Sequence, residues 1–515
     1  MKKLKIENAL ISVFNKDGLS ELAEFLQNNK INILASDGTA SHLMENKIEV
    51  TKISEYIDFP HVLGGRVKTL HPKIYAGVLA DPANKEHRKD LEENDILPIQ
   101  LVVINLYPFA KKMAEIKEVS DLIEFIDIGG VSLIRAGAKN YMNCMVITNP
   151  GDYEELMKVY SEEDGIPQDF LEKFSVKAFK YSSFYDSIIS RTLEEKFKYS
   201  DDEYLSSPYK RVQKLRYGEN PHQVAVLHKD NCYRGDSLFN YEQIQGKELS
   251  YNNILDIDIA IRVNNDFREP NCVVIKHNNP CGFAVGNADL NTFENAWEGD
   301  SISAFGSIIG FNYCIEKDIA EVLAKRFVEV IVCRDISDDA RAILKKKKRL
   351  RVLVKKDKSL RIITGKEIRE IKGGLLIQDE DSKIEMMDDL KLVTETKFDS
   401  GVLNDIFYGL KLIRYFKSNS IILVKNHQLI GAGFGQPNRV DCVKMSIEKA
   451  GDKIKSAVLI SDAFFPFRDS IDLTGALKLS GIVQPGGSIR DKEVIEACDE
   501  FNIPMYITGI RHFRH

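Results

Sequence analysis

Short apolar runs alternate with segments of helical apolar spacing through the first 150 residues. The runs at 8–13, 31–35, 101–105 and 145–149 are five or six residues long and have the lengths of buried strands. Residues 18–29, between the first two runs, carry apolar side chains at helical spacing. Strands that alternate with helices predict βαβ units, so this part of the chain is predicted to form a mostly parallel, Rossmann-like sheet of α/β class.

The pattern changes after residue 167. Residues 168–198 show aromatic and aliphatic side chains at helical spacing, and a polar, Pro-containing stretch follows them. Two further groups of strands come after it, and "VKNHQLIG" is predicted to be a hairpin with Asn-His at its tip. We therefore predict three domains, at residues 1–200, 201–395 and 396–515.

Composition narrows the class of protein. The 515 residues are 43% hydrophobic and carry a formal net charge of −6, and no apolar run reaches membrane-spanning length. The start of the chain lacks the features of a signal peptide. Eight scattered cysteines without a C-x-x-C pair indicate reduced thiols in a cytoplasmic protein. The basic run "KKKKRLR", Lys345 to Arg351, is interpreted as a solvated helix end or loop, so neither a nucleic acid nor a membrane is expected as partner.

Polar residues follow three strands of the first domain. "SVFNKDG" and "SDGT" place Ser, Thr, Lys or Gly where strands end and helices begin, which suits a phosphate, and "NLYPF" follows the third strand. Taken singly, each is also ordinary turn and cap chemistry. Together they favour a phosphorylated small molecule. The basic stretch "LGGRVKTLHP" either adds cations to such a site or is an ordinary solvated loop. Asp127 before Gly-Gly is either a helix cap or a catalytic acid.

In the second half, "VVIKHNNPCG" brings an ammonium and an imidazole, Lys276 and His277, to the end of an apolar strand. Burying either group unpaired is costly, so the position must be wet, paired or functional. Cys281 has no partner at position 284 and no H-x-E precedes it, which argues against a zinc deaminase site. Gly431, Gly433 and Gly435 fit a dinucleotide fingerprint poorly, and that reading is rejected.

Ten motifs in order resemble one family. "SVFNKDGL", "GGRVKTLHP", "NLYPF", "IDIGG", "LRYGENPHQ", "KHNNPCG", "SAFG", "SDAFFPFRDSID", "QPGGSIRD" and "RHFRH" are similar to the bifunctional purine-biosynthesis family that joins AICAR transformylase to IMP cyclohydrolase. The resemblance spans residues 8 to 515. It implies a homodimer, an N-terminal methylglyoxal-synthase-like domain with cyclohydrolase activity, and a transformylase region of two cytidine-deaminase-like α/β subdomains without zinc.

The resemblance also implies the chemistry. The co-substrate 10-formyltetrahydrofolate gives its formyl group to AICAR, and the product FAICAR closes its ring to IMP, with no metal and no tightly bound cofactor. The implied transformylase catalysts are Lys276, His277 and Asn426. The implied nucleotide contacts in that half are Arg216, Tyr217, His222, Arg511 and Phe513, and the implied folate contacts are Ser303, Phe305, Gly306, Phe467 and Asp469.

For ring closure the resemblance implies Lys68, Tyr107, Asp127 and Lys139 as catalysts. Phosphate and ribose contacts would come from Ser12, Lys16, Ser36, Gly38, Thr39 and Arg66. Asp37 departs from the family, which usually has Gly there, and a carboxylate beside a phosphate is unfavourable unless it points away. The alternative function is a non-catalytic sensor of purine nucleotides or folates.

Overall fold

The computed structural model describes residues 3–59, 62–63, 66–67, 69–199, 203–363 and 365–515. It divides into two compact units. The first comprises Met1–Arg211 with His228–Tyr233, and the second comprises Val212–Leu227 with Arg234–His515. The three-domain division at residues 200 and 395 stays a prediction.

The first unit is built on a parallel sheet of order β3-β2-β1-β4-β5. Its strands are β1 (Asn8–Val13), β2 (Asn32–Ala35), β3 (Thr51–Lys52), β4 (Leu101–Asn105) and β5 (Met145–Ile147). The predicted parallel sheet is therefore confirmed, with β3 as a short edge strand that the apolar pattern does not reveal. All five strands run the same way, so their carboxyl ends share one edge.

Helices cover both faces of this sheet. They are α1 (Leu19–Asn28), α2 (Asp37–Glu45), α3 (Ile53–Ile57), α4 (Pro72–Leu79), α5 (Lys85–Glu93), α6 (Phe109–Glu115), α7 (Val119–Ile123), α8 (Gly129–Lys139), α9 (Tyr153–Glu163) and α10 (Gln168–Phe197). The apolar stripe of α10 is core, as predicted: Phe170 and Phe174 join the cluster on one face of the sheet, and Ala178 and Tyr185 join the cluster on the other.

After α10 two strands, β6 (Tyr209–Lys214) and β7 (Val226–Asp230), form a two-stranded sheet. The second unit holds a mixed sheet of twelve strands, in the order β16-β21-β20-β19-β17-β18-β10-β9-β11-β12-β13-β8. One half of the sheet consists of β8 (Tyr241–Gln245), β9 (Asn271–Lys276), β10 (Asn279–Val285), β11 (Ser307–Ile315), β12 (Val328–Ile336) and β13 (Arg351–Lys355). Its helices are α11 (Tyr251–Asp266), α12 (Leu290–Trp297), α13 (Lys317–Lys325) and α14 (Asp338–Leu344).

The other half follows a separate hairpin, β14 (Lys366–Ile371) with β15 (Gly374–Asp379). Its strands are β16 (Lys391–Leu392), β17 (Ser420–Lys425), β18 (Gln428–Phe434), β19 (Val458–Ser461), β20 (Gly481–Gln484) and β21 (Met505–Ile507). Its helices are α15 (Leu403–Ile413), α16 (Arg439–Ala450), α17 (Asp469–Thr474) and α18 (Asp491–Glu500). The two halves join where β10 pairs antiparallel with β18.

The hairpin β17–β18 has Asn426 and His427 at its tip, as predicted. All eight cysteines are free thiols, and cytoplasmic location stays a prediction. None of the described helices combines the length and apolar composition needed to cross a bilayer. Among the described side chains, no group of three or more His, Cys, Asp or Glu converges in a way that would hold a metal ion.

Candidate active sites

A cavity of about 560 Å³ opens at the carboxyl edge of the five-stranded sheet. The ends of β1, β2 and β4 and the first turns of α2 and α8 surround it, because parallel strands deliver their following loops to one edge. Most residues expected in the cyclohydrolase half line this cavity: Ser12, Lys16, Ser36, Gly38, Thr39, Arg66, Tyr107 and Asp127.

Three hydroxyl groups meet at the floor of the cavity. The Ser12 hydroxyl lies 3.0 Å from that of Ser36, which lies 3.2 Å from the Thr39 hydroxyl. Thr39 is buried and accepts a hydrogen bond from the backbone N–H of Val13, which ties α2 to the end of β1. A Cβ at Gly38 would meet no atom within 4 Å, so this first turn faces open space. Hydroxyls at the N-terminus of a helix suit a phosphate.

Two charged residues of the cavity have protein partners. Ser54 donates a hydrogen bond of 3.0 Å to the Asp37 carboxylate. A residue of α3 therefore binds the Asp37 carboxylate, which stands where the family usually has Gly. Arg66 forms a two-point contact with Glu124, with both side chains exposed. An exposed pair of this kind is weak, so an incoming phosphate would compete for the guanidinium.

Asp127 caps α8. Its carboxylate accepts a hydrogen bond of 2.7 Å from the backbone N–H of Gly130, and its own N–H donates to the Tyr185 hydroxyl. A Cβ at Gly130 would stand 2.8 Å from both carboxylate oxygens, so a larger residue there would displace the carboxylate from its capping position. Burial raises the pKa of the Tyr185 phenol well above its usual range, with the Asp127 charge adding to the effect. The carboxylate both caps the helix and lines the cavity, so the two readings of Asp127 are compatible.

Two expected catalysts stand apart from this group. Lys139 is the last residue of α8 and is exposed, whereas the first residues of that helix line the cavity. Eleven residues of helix separate the two ends by about 15 Å. Within one chain the structure does not bring Lys139 to the cavity. Lys68 lies outside the described residues, and both roles stay predictions.

In the second unit, Lys276 and His277 lie at the turn between β9 and β10. His277 and Asn278 both have left-handed backbone, with φ of 50° and 62°. This is the conformation of the tight hairpin turns that match strand twist. The Lys276 ammonium donates to the backbone oxygens of Phe305 and Gly306 at 3.0 and 2.9 Å. An ammonium has three hydrogens, so these two bonds leave one donor available.

A carboxylate from α11 holds this turn. Asp256 accepts a hydrogen bond of 2.6 Å from the backbone N–H of Asn278. Burial raises the pKa of Asp256, while the Asn278 N–H and the charges of His277 and Lys276 oppose the shift. The carboxyl therefore sits behind the turn and fixes its backbone.

Lys276 and His277 border a cavity of about 330 Å³ that both halves of the sheet line. Asp300 lies in its wall and accepts hydrogen bonds from the Ser303 hydroxyl at 2.7 Å and from Lys449 at 2.6 Å. Burial alone would raise the pKa of Asp300, but the bonds from Lys449 and Ser303 lower it. The cavity thus combines a lysine, an imidazole and a paired carboxylate with an apolar wall of Leu429, Phe434 and Met445.

A buried aspartate also holds the corresponding hairpin turn in the other half of the sheet. Asp405 of α15 accepts hydrogen bonds from the backbone N–H groups of Asn426 and His427, at 2.9 and 2.6 Å. Both of these turn residues are left-handed as well. Asp256 precedes Lys276 by 20 residues, the same distance that separates Asp405 from Lys425. Sequence reasoning missed both aspartates, and this repeated spacing was the signal that could have found them.

Asn426 lies far from Lys276 and His277 in one chain. The His427 backbone oxygen accepts from Val285 N–H, at the last residue of β10, whereas Lys276 and His277 precede the first residue of that strand. Six residue steps of about 3.3 Å separate the two positions by roughly 20 Å. The structure therefore does not bring the three expected transformylase catalysts together within one chain.

The remaining expected residues lie on other surfaces. Phe305 is 64% exposed and packs on Phe327, with ring centres 4.9 Å apart. Phe467 is half exposed, and the Arg490 guanidinium lies 4.7 Å from its ring. Of the expected nucleotide and folate contacts in this half, only Ser303 lines the Lys276 cavity; Arg216, Tyr217, His222, Phe305, Gly306, Phe467, Asp469, Arg511 and Phe513 are not part of its wall.

The C-terminal tail alternates between inward and outward side chains. His512 is 2% exposed, and its ring nitrogens lie 2.7 Å from the carboxylates of Asp381 and Glu385. Arg514 donates to the Tyr415 carbonyl, and its backbone N–H donates to the Ser418 hydroxyl. Arg511 precedes His512, and Phe513 lies between His512 and Arg514. Both Arg511 and Phe513 are exposed, and the Arg511 guanidinium lies 4.5 Å from the centre of the Phe513 ring. The expected nucleotide contacts of the tail are thus its outward residues.

Comparison with known proteins bears on both units. A family model described as the MGS-like domain matches residues 18–132, and one described as the AICARFT/IMPCHase bienzyme matches residues 137–449. A solved structure titled "Crystal structure of ForH" matches 37% of this chain and 99% of its own, at 28% identity and a TM-score of 0.33.

Curated relatives match over their whole length. The chain is 44% identical to proteins named bifunctional purine biosynthesis protein PurH from Clostridium botulinum and Clostridium perfringens, and 42% identical to the one from Caldicellulosiruptor saccharolyticus. Each match covers 99% of this chain and 100% of the relative. With two cavities of distinct chemistry in two units and this similarity along its length, the chain belongs to the AICARFT/IMPCHase bienzyme family.

Proposed function

We propose that the second unit transfers a formyl group from 10-formyltetrahydrofolate to the 5-amino group of AICAR, and that the first unit closes the ring of FAICAR to give IMP. The chain is a bifunctional transferase and cyclohydrolase of purine biosynthesis. The observation that carries the assignment to units is their contrasting chemistry. One cavity offers hydroxyls and helix N-termini, and the other offers an ammonium beside an imidazole.

Ring closure needs positioning more than strong catalysis, because the attacking amide nitrogen and the formyl carbon belong to one molecule. The phosphate would rest on Ser12, Ser36 and Thr39 at the first turn of α2, with Lys16 and Arg66 supplying charge. Asp127 would accept a proton of the attacking amide nitrogen, and Tyr107 would donate one to the formyl oxygen. The C–O bond then breaks as the formamide nitrogen gives up its own proton, and the two protons gained by the oxygen leave with it as water. Lys68 and Lys139 remain proposed stabilisers of developing negative charge.

Formyl transfer makes heavier demands, since the AICAR amine is a poor nucleophile. The base must take its proton as it attacks the formyl carbon, and an imidazole accepts protons near neutral pH. His277 has this role in the proposal. Lys276, with one N–H left over from its two carbonyl partners, would donate to the tetrahedral oxyanion or to the departing folate nitrogen.

The distance between Asn426 and His277 supports a homodimer whose second copy supplies Asn426. A matched pair of variants tests this. His277→Ala and Asn426→Ala proteins, each inactive in formyl transfer, are mixed, dissociated and reassociated. Half of the reassociated dimers then contain one copy of each variant. Each of these dimers has one intact site out of two, so about a quarter of wild-type activity returns. No recovery in dimers proven to be mixed contradicts the shared site.

A coupled assay tests the function. AICAR and 10-formyltetrahydrofolate are supplied, and FAICAR and IMP are quantified separately. His277→Ala should lower formyl transfer by about 10²- to 10⁴-fold while FAICAR supplied directly is still converted to IMP. A non-catalytic sensor would bind both compounds and convert neither, and the names of the relatives give that alternative no support.

A further inference from the structure

The turn between α12 and β11 supplies the two acceptors of the Lys276 ammonium. The backbone oxygens of Phe305 and Gly306 lie 3.0 and 2.9 Å from its nitrogen. Both acceptors are main-chain atoms, so the position of the ammonium follows the shape of this turn. With two of its hydrogens bound to fixed carbonyl groups, the third N–H of Lys276 has a defined direction.

Gly306 allows the two carbonyl groups to approach one ammonium. Its φ is 68°, in the left-handed region, and its N–H donates to the Phe327 oxygen at 2.8 Å. A Cβ at this position would lie 2.9 Å from the Phe327 ring and 3.4 Å from the Lys276 nitrogen. The turn is therefore closely packed at the end that binds Lys276.

Asp300 holds the other end of the turn. One of its carboxylate oxygens accepts from the Ser303 backbone N–H at 3.0 Å, and the other accepts from the Ser303 hydroxyl at 2.7 Å. The Asp300 backbone oxygen accepts from the N–H of Ala304, which is buried, at 2.9 Å. These bonds fix the backbone that leads to Phe305 and Gly306.

Lys449 ties this carboxylate to the other half of the sheet. It belongs to α16, and its ammonium donates at 2.6 Å to the Asp300 oxygen that also accepts from the Ser303 hydroxyl. The Asp300 side chain is only 13% exposed, so water screens this ion pair less than it screens a surface pair. A contact from α16 thus reaches Lys276 through the backbone of the turn.

A second tie between the same two halves bypasses the turn. Lys453 donates to the Glu298 backbone oxygen at 3.0 Å and lies 3.6 Å from the Glu298 carboxylate. Neither Lys453 nor Glu298 is part of the wall of the Lys276 cavity. Lys453→Met therefore removes a tie of the same kind and serves as the matched control for Lys449→Met.

We propose that Asp300 and Lys449 are positioning residues for formyl transfer, which place the Lys276 ammonium by holding the turn whose carbonyl groups bind it. This inference rests on the proposed transferase function. A donor must point at the group that gains charge in the transition state, and small displacements are costly. Loosening the turn therefore slows the chemical step more than it weakens the binding of AICAR.

Steady-state formyl transfer by the full-length protein tests the proposal. Lys449→Met should lower kcat about tenfold, with less than about a twofold change in the KM for AICAR. Lys449→Arg keeps a cation within reach of Asp300 and should recover most of the loss. Asp300→Asn, which keeps an acceptor for Ser303 but loses the ion pair, should resemble Lys449→Met. Lys453→Met should retain the wild-type kcat, and FAICAR supplied directly should be converted to IMP at the wild-type rate in every variant.

A second measurement needs no turnover. Acetic anhydride acylates a lysine whose amine is unprotonated and free to turn, and both carbonyl bonds of Lys276 oppose this. Labelling of Lys276, quantified by mass spectrometry of the full-length protein, should be about fivefold faster in Lys449→Met than in the wild type. Lys449→Arg and Lys453→Met should label Lys276 at the wild-type rate.

Three results would overturn the proposal: a wild-type kcat in Lys449→Met, an equal loss in Lys453→Met, or a fall in kcat without faster labelling of Lys276. The last of these would show that Lys449 acts by another route. A wild-type protein that forms no FAICAR would instead refute the transferase function. Labelling of Lys276 would still decide whether Asp300 and Lys449 hold the turn.

Discussion

The imidazole of His512 lies between two carboxylates, with Nε2 2.7 Å from Oε1 of buried Glu385 and Nδ1 2.7 Å from Asp381. One ring thus joins the C-terminal tail to the segment before α15. Burial alone would lower the pKa of His512, but the hydrogen bonds and charges of Asp381 and Glu385 raise it to about 9. Burial alone would raise the pKa of Asp381, but the hydrogen bond and charge of His512, together with the Arg414 charge, lower it.

This bridge predicts a loss of stability in mildly alkaline solution. The folded pKa of about 9 is above the ordinary value of 6.5, so the stabilisation is complete below pH 6.5 and is lost as pH rises through 9. The contribution is on the order of 3 kcal/mol. Urea midpoints of the wild type should fall between pH 6.5 and 9, and His512→Gln should lack this part of the fall. An equal slope in both proteins would contradict the assignment.

Asp127→Asn separates the two roles of that carboxylate. The amide oxygen still accepts from Gly130 N–H, so α8 keeps its cap and the thermal midpoint should stay within about 2 °C of wild type. Loss of the proton acceptor should lower ring closure by about 10²-fold or more. FAICAR conversion and thermal unfolding are measured on the same sample. Unchanged FAICAR conversion in a stable Asp127→Asn variant would show that the carboxylate serves only as a helix cap.

Gly38→Ala tests the phosphate cradle without a packing defect. The added methyl would meet no protein atom within 4 Å, and alanine favours a helix, so stability should be unchanged or slightly higher. The methyl would occupy space at the first turn of α2, so the KM for FAICAR should rise about tenfold with little change in kcat. Gly282→Ala is the contrast for stability, because its Cβ would lie 1.9 Å from the Ala296 backbone oxygen. An unchanged KM in Gly38→Ala would show that the substrate phosphate does not bind at the first turn of α2.

Asp256→Ala tests the anchor behind the Lys276–His277 turn. The Asn278 N–H would lose its acceptor, and the turn that orients His277 would loosen. Formyl transfer should fall roughly tenfold, with a smaller fall in Asp256→Asn, which keeps an acceptor oxygen. Ring closure in the same chain is the internal control and should not change. Formyl transfer at the wild-type rate in Asp256→Ala would show that the turn holds itself.

Four of the five strands of the first unit could be predicted because each is a buried apolar run bounded by polar turn residues, whereas the two-residue edge strand β3 is polar and half exposed. The residues of the first cavity could then be predicted too, because the carboxyl ends of parallel strands lie at one edge of the sheet. Asn426 could not be placed, because its distance from His277 depends on the antiparallel pairing of β10 with β18, which no local pattern records. Asp256 and Asp405 were missed for a related reason: each acts across 20 residues or more, on a backbone N–H that the sequence does not distinguish.

The pairing of β10 with β18 has a consequence for synthesis of the chain. Ala284 faces Gln428, about 140 residues later, so the first half of the twelve-stranded sheet leaves the ribosome with β10 as an open edge. Contacts of such long sequence separation form slowly. Until β17 and β18 are made, the nascent chain displays a strand whose next neighbour does not yet exist, and this interval is when capture by another unfinished copy is easiest.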